Sequence, residues 1–236
     1  MNETQLTEIR NYLLSKKLPI DILIEINDHF VSQISDLQKE ENLSFDEAFE
    51  KVKDDWKDEF KTSAPFYILA NKEKVAITNF EKKLKNQNDR EIIKTSVFIN
   101  LLVIFIYLIS LSKFNFATFK YVHKSLLVAS YIFVISLVFF NLIQNRFMYN
   151  EKYKEYKFSV YQWRTTGVFS FGYLILLFLK PIESIFQKIL VYDFSFEVIL
   201  KLLLFFSFYT IMLYTGIYHF KLIKTVKKVK YFLKYL

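Results

Sequence analysis

The sequence predicts an all-α membrane protein: a small N-terminal helical cytoplasmic domain followed by a four-helix transmembrane bundle. Three observations predict it. Four long apolar stretches crowd into the second half of the 236 residues. Gly and Pro number three each, too few for many tight turns or long irregular segments. The charge is divided: residues 1–93 hold 14 Lys and Arg against 19 Asp and Glu, and residues 94–236 hold 18 against 5. An acidic front is joined to a basic, apolar back. The expected organisation is an acidic helical domain over 1–90, a transmembrane domain over 91–220, and a basic amphipathic helix over 221–236.

In the front domain, "ETQLTEIRNYLLSKK" sets Leu6, Ile9 and Leu13 on one helix face. Pro19 then suits the first turn of a second helix, where its missing N–H costs nothing. Leu23, Ile26, Phe30, Ile34 and Leu37 recur at i, i+3, i+7, i+11 and i+14, an apolar stripe. Ser44 and Glu47 of "SFDE" form a capping box, each side chain able to satisfy the other's backbone N–H. Ala48, Phe49, Val52 and Trp56 follow as a buried face. A later helix, "KEKVAITNFEKKLKNQ", carries Val75, Ile77, Phe80 and Leu84, and can run on through Asp89 and Lys94 into the first span. Short amphipathic helices of this kind are stable only when packed together.

Residues 12–34 and 42–56 resemble the HAAS-type helical domain, a small bacterial module found before transmembrane segments or beside PadR-like regulators and permeases. The matching positions are Tyr12, Leu13, Leu18, Pro19, Glu25, Ile26, His29, Ser44, Glu47 and Ala48. Asp46 stands where that family often has Glu, and no glycine precedes Ser44. The resemblance implies an accessory or signalling role in a bacterial membrane and implies no catalytic residues.

The expected spans are about 95–112, 125–143, 162–180 and 200–220. Their charge-free cores approach the ~20 residues that cross ~30 Å of hydrocarbon. The third has the shortest core, with Tyr161, Trp163 and Lys180 as interfacial flanks. Lysine and arginine set the orientation. The loop after the second span has Arg146, Lys152, Lys154, Lys157 and Arg164, and the tail has six lysines. The first loop has Lys113, Lys120 and Lys124, and the third has Lys180, Lys188 and Lys201. The bias places both termini inside in a multi-pass protein, and the resemblance implies that the membrane is the bacterial cytoplasmic one. The opening "MNETQLTEIR" lacks the apolar core of a cleavable signal. Between the last two spans, Ile182, Ile185, Phe186, Ile189 and Leu190 form one stripe, expected as a short helix in the outer interface or a bent extension beyond Pro181.

Candidate sites are few. The absence of cysteine removes disulfides, thiolate metal sites and cysteine nucleophiles. Gly-rich phosphate loops, Ser/His/Asp sets and HExxH are missing, so no enzyme activity and no cofactor are expected. Glu25, Asp28 and His29 share a helix face, but a single His is a thin basis for a metal site, and a polar flank is the plainer reading. Asp54, Asp55, Trp56, Asp58 and Glu59 offer a docking surface for a basic partner, or a solvated face around one core aromatic. Asn100 and Asn141 are placed for interhelical hydrogen bonds; no ionisable residue lies near a span midplane. "MYNEKYKEYKFSVYQW" reads as a basic, aromatic interfacial anchor.

In the tail, Leu222, Val226, Val229, Leu233 and Leu236 make an apolar face, and Lys221, Lys224, Lys227, Lys228, Lys230 and Lys234 take the rest. A nucleic-acid hook would not need that stripe. A helix lying on anionic lipid head groups, or against the acidic front domain, does. The expected partners are therefore the lipid bilayer and a protein partner or a second copy, with no nucleic acid. The expected function is that of an accessory or regulatory membrane protein whose N-terminal domain mediates protein interaction or signalling. The alternative is a small transport or channel component.

Overall fold

The computed structural model describes residues 1–63, 77–144, 146, 157–161, 182–191 and 195–232. Helices dominate them: α1 (Glu3–Ser15), α2 (Ile20–Glu40), α3 (Phe45–Asp55), α4 (Lys57–Phe60), α5 (Asn79–Lys113), α6 (Phe116–Gln144), α7 (Ile182–Leu190) and α8 (Phe196–Phe232). Between α4 and α5, Thr62–Ser63 and Ile77–Thr78 pair as a minimal antiparallel ladder. The described residues divide into two compact units. One comprises 1–63, 77–88, 157–161 and 225–232; the other comprises 89–144, 146, 182–191 and 195–224.

In the first unit, α1 begins on a capping box in which Asn2 and Gln5 exchange hydrogen bonds of 2.9 Å. Helix α3 begins on the expected box: Ser44 N–H donates to Glu47 Oε2 at 2.9 Å, and Glu47 N–H donates to Ser44 Oγ at 3.3 Å. The Ser44 hydroxyl, which donates to the same carboxylate oxygen at 2.7 Å, and then the Ser44 N–H hold the Glu47 carboxyl below its usual range. The chain leaves α1 through Lys17 and enters the α2–α3 turn through Asn42, both left-handed at φ 53°. The core gathers the apolar faces of α1 to α4. Ile9, Leu13, Ile26, Phe30, Ile34 and Ala48 are fully buried, and burying such a side chain contributes ~1.5–3 kcal/mol. Trp56 sits beside Phe30, Phe60 and Phe80, with ring centroids 5.5, 5.6 and 5.3 Å away. Its indole N–H donates to Gln33 at 2.9 Å.

The late helix of the front domain differs from the expectation. Ile77 lies in the ladder, and the helix starts at Asn79. Val75 falls outside the described residues. Thr78 Oγ1 accepts from Glu81 N–H at 3.1 Å, which caps the helix after Val75 and Ile77 rather than before them. The helix then runs unbroken through Lys94 to Lys113.

Three helices among the described residues are long and apolar enough to cross a membrane: α5, α6 and α8. Helix α5 has 35 residues and α8 has 37, each over ~50 Å at ~1.5 Å per residue. Both exceed the ~30 Å of a bilayer core, so each is long enough to cross one with several turns to spare. The first loop is much shorter than expected. Helix α5 ends at Lys113 and α6 starts at Phe116, which puts Lys120 and Lys124 on α6. Asn115 makes this turn by accepting from Thr118 N–H at 2.9 Å. The expected third span, 162–180, lies outside the described residues.

The second unit's core joins α5, α6, α7 and α8. Val103, Tyr107, Phe119, Ile185, Phe186, Val198, Phe205, Tyr209 and Met212 cluster there. Ile185, Phe186 and Ile189 of the α7 stripe therefore face protein. Phe186 stacks on Tyr107 at 5.2 Å and meets Phe119 edge-on at 4.9 Å. Outward, Phe98, Phe105, Phe139, Leu142 and Leu203 are all more than half exposed. A surface of that kind suits an apolar solvent.

Candidate functional site

The most elaborate polar arrangement in the first unit lies where α2 begins. Pro19, at φ −55° and ψ 140°, occupies the capping position of α2 and offers no side-chain acceptor. It stands one place earlier than the first helical turn. The first N–H groups of α2 are therefore left to find other partners, and a distant segment supplies them. Ile20 N–H donates to Lys157 O at 2.7 Å, and Asp21 N–H donates to Phe158 O at 3.4 Å. The exchange runs both ways. Ser159 Oγ donates to Asp21 Oδ2 at 2.8 Å, and Val160 N–H donates to the same oxygen at 3.1 Å. Asp21 Oδ1 accepts from Ile22 N–H at 2.9 Å.

The segment is buried along its length: Phe158 and Ser159 completely, Val160 and Tyr161 nearly so. Lys157 Nζ lies 3.8 Å from Glu81 Oε2, in a mostly buried ion pair. Burial pushes the Asp21 carboxyl up to about 6, against the three hydrogen bonds it accepts, with Glu81 adding a smaller push. Residues 157–161 thus belong to the packed N-terminal unit, and Tyr161 does not serve as the interfacial flank read from the sequence. Trp163 is outside the described residues.

The acidic run carries its own cations. Lys57 lies 3.8 Å from Asp54 and Lys61 lies 2.6 Å from Asp58, while Lys83 pairs with Glu59. Lys61 holds the Asp58 carboxyl below its usual range. Asp55 is exposed and Trp56 half-buried. A shallow groove beside them is lined by Asp58, Glu59, Asn79, Lys82, Lys83 and Asn86. Glu25, Asp28 and His29 are all exposed on α2, and no group of three potential metal ligands gathers among the described residues.

In the second unit, polar side chains join helix to helix. Asn100 Nδ2 on α5 donates to Phe206 O at 2.8 Å and Thr210 Oγ1 at 2.6 Å on α8. Asn141 Nδ2 on α6 donates to His219 Nδ1 on α8 at 2.6 Å. Tyr209 and Ser130 join α8 and α6 at 2.8 Å, and Tyr107 and His123 join α5 and α6 at 2.8 Å. All four contacts lie between apolar helices, where a lone polar group would be costly. The pairings also fix direction: α6 runs parallel to α8, and α5 runs antiparallel to both. Lys201 pairs with Glu197 one turn earlier on α8.

The tail is helical, continuous with α8 to Phe232. Leu222, Val226 and Val229 are fully buried, so this apolar face is covered by the chain itself. Lys224, Lys227, Lys228 and Lys230 are exposed, and Lys221 pairs with Glu91 at 3.2 Å. Leu233, Lys234 and Leu236 fall outside the described residues.

Sequence reasoning overlooked Asp21, Glu81, Ser159, Tyr107, His123, Ser130, Tyr209 and Thr210. One signal for Asp21 was present: α2 starts after Leu-Pro with no Ser, Thr, Asp or Asn to cap it. Neither a family model, nor a curated protein, nor a solved structure matches this chain.

Proposed function

We propose that this chain is an integral accessory or regulatory protein of the bacterial cytoplasmic membrane, with both termini in the cytoplasm. Its N-terminal helical unit is read as a protein-interaction or signalling module. The observation that carries this reading is the continuity of α5 and α8. Both run without a break from apolar, membrane-length stretches into the helical unit formed by the N-terminal residues. A continuous helix suits a module that reports to, or is set by, membrane helices. The use of Asn100 and Asn141 in helix pairing supports an anchoring role for the apolar helices. Exposed Lys224, Lys227 and Lys228 suit the anionic head groups of the inner leaflet, at ~1 kcal/mol per lysine near the surface.

The cysteine-free sequence gives a direct test of orientation. Single cysteines replacing Ser32 and Lys227 should react with an impermeant maleimide only after the cells are opened. Labelling of either in intact cells would overturn the cytoplasmic placement. For the interaction role, cross-linking of the full chain in its native membrane should join residues 1–60 to a second protein. Substituting Asp54, Asp55, Asp58 and Glu59 by their amides should weaken that cross-link. Cross-links confined to the chain itself would remove the proposal.

A further inference from the structure

We infer that the start of α2 is a built receptor for the segment 157–161, and that their contact is a releasable latch between the N-terminal helices and the stretch of chain that follows α6. The inference goes beyond the accessory role and stands whether or not a second protein binds.

The reciprocity of the contact is the first argument. Two carbonyls of the segment accept from the first two N–H groups of α2, which have no side-chain cap. Asp21 returns two bonds, to Ser159 Oγ and Val160 N. Each partner satisfies groups that the other would leave orphaned. The second argument is selectivity. Phe158 is fully buried, Ser159 presents a short hydroxyl to a carboxylate, and Lys157 pairs with Glu81 of α5. An apolar anchor, a donor and a cation in five residues make a specific ligand.

The third argument is separability. The segment lies 138 residues from Asp21 along the chain. The aromatic core of α1 to α4 is assembled from its own residues: Tyr12 meets Phe30, Phe49 and Phe60 at 5.9, 5.6 and 6.3 Å. The helices therefore keep a core when the segment leaves. Asp21 also gives the latch a pH dependence. The charged groups about it are Glu81 from α5 and Lys157 from the segment, with Lys85 acting on Glu81. Closure buries the Asp21 carboxyl and raises its proton affinity, so closure is tighter below pH ~6 than above it.

The test uses the full chain in detergent with single cysteine reporters. Val160→Cys keeps the backbone N–H and places a thiol inside the contact. Ala48→Cys reports on the α1–α3 core, and Ser32→Cys is the exposed reference. The expected result has four parts. Val160→Cys reacts with a water-soluble maleimide at least about tenfold more slowly than the reference. Adding Asp21→Ala accelerates it by about tenfold, the effect of leaving the Ser159 and Val160 donors without an acceptor, while Ala48→Cys stays protected. Adding Asp21→Asn, which keeps the acceptor, changes it by less than about threefold. The rate relative to the reference rises between pH 5 and 7.5. The latch is overturned if Val160→Cys reacts as fast as the reference, or if Asp21→Ala leaves it unchanged. It is equally overturned if Asp21→Ala exposes Val160→Cys and Ala48→Cys together, because the segment would then be an inseparable part of the core.

Discussion

At the scale of the residue, Asp21 has the clearest pH signature. Its carboxyl is raised from the usual 3.8 to about 6, mainly by burial. A carboxyl raised by folding gives stability that is fully present below about 4 and is lost as the pH rises through 6. The window is worth about 3 kcal/mol at ~1.4 kcal/mol per unit. Asp21→Asn is expected to remove this part of the pH dependence. Thermal midpoints of the variant and the parent, compared from pH 4.5 to 7.5, check it; parallel profiles would contradict the assignment. Lys17 offers a second measurement. Its left-handed φ of 53° strains a residue with a Cβ, so Lys17→Gly should stabilise the N-terminal unit, by about 1 kcal/mol in a denaturant titration. Phe30 is fully buried among Tyr12, Trp56 and Phe60. Phe30→Ala should cost about 3–5 kcal/mol in the same titration.

At the scale of the element, the pair α6 and α8 is instructive. Ser130 meets Tyr209 and Asn141 meets His219, so the two helices hold one register over three turns. Gly216 lies between these contacts, and a Cβ there would come 3.3 Å from Phe133. The absence of a side chain lets the helices approach closely. Gly216→Ala should be tolerated, because Phe133 is half exposed and can shift. Gly216→Leu should break the register. A cross-link between cysteines replacing Ser130 and Tyr209 would report it, with retention in Gly216→Leu as the contrary result. The front helices were readable at this scale because their stripes have the helical period. The start of α5 was misread for a local reason: the pattern from Val75 to Leu84 is also helical, but Ile77–Thr78 pairs with Thr62–Ser63. Periodicity cannot register a partner strand.

At the scale of the whole molecule, charge and hydropathy separated a polar front from an apolar back, and the three membrane-length helices fall in that back. The grouping of segments was much less visible. Residues 157–161 and 225–232 are distant from the N-terminus in sequence, yet they belong to its unit. The tail illustrates the consequence. Its stripe was legible, but a stripe does not say whether lipid or protein covers it. Burial of Val226 and Val229 places that face against protein and leaves Lys224, Lys227 and Lys228 outward. Reversing those three lysines to glutamate should therefore weaken association of the full chain with anionic lipid while leaving the tail helical. Lipid-binding assays against neutral and phosphatidylserine-containing vesicles would check this.

The sequence by itself determined the helical class, the capping box at Ser44, the apolar faces of α1 to α3 and the membrane-length character of α5, α6 and α8. Each of these is local: it depends on residues within a few turns of one another, and on the repeat of a helix. The tertiary structure alone decided that Lys157 and Phe158 supply the acceptors for the uncapped start of α2, and that Asp21 answers to Ser159 and Val160. It also decided that α7 packs on Tyr107 and Phe119. Those arrangements join groups tens to more than a hundred residues apart. A hydrogen bond depends on ångströms of separation in space, and one-dimensional spacing carries no measure of that.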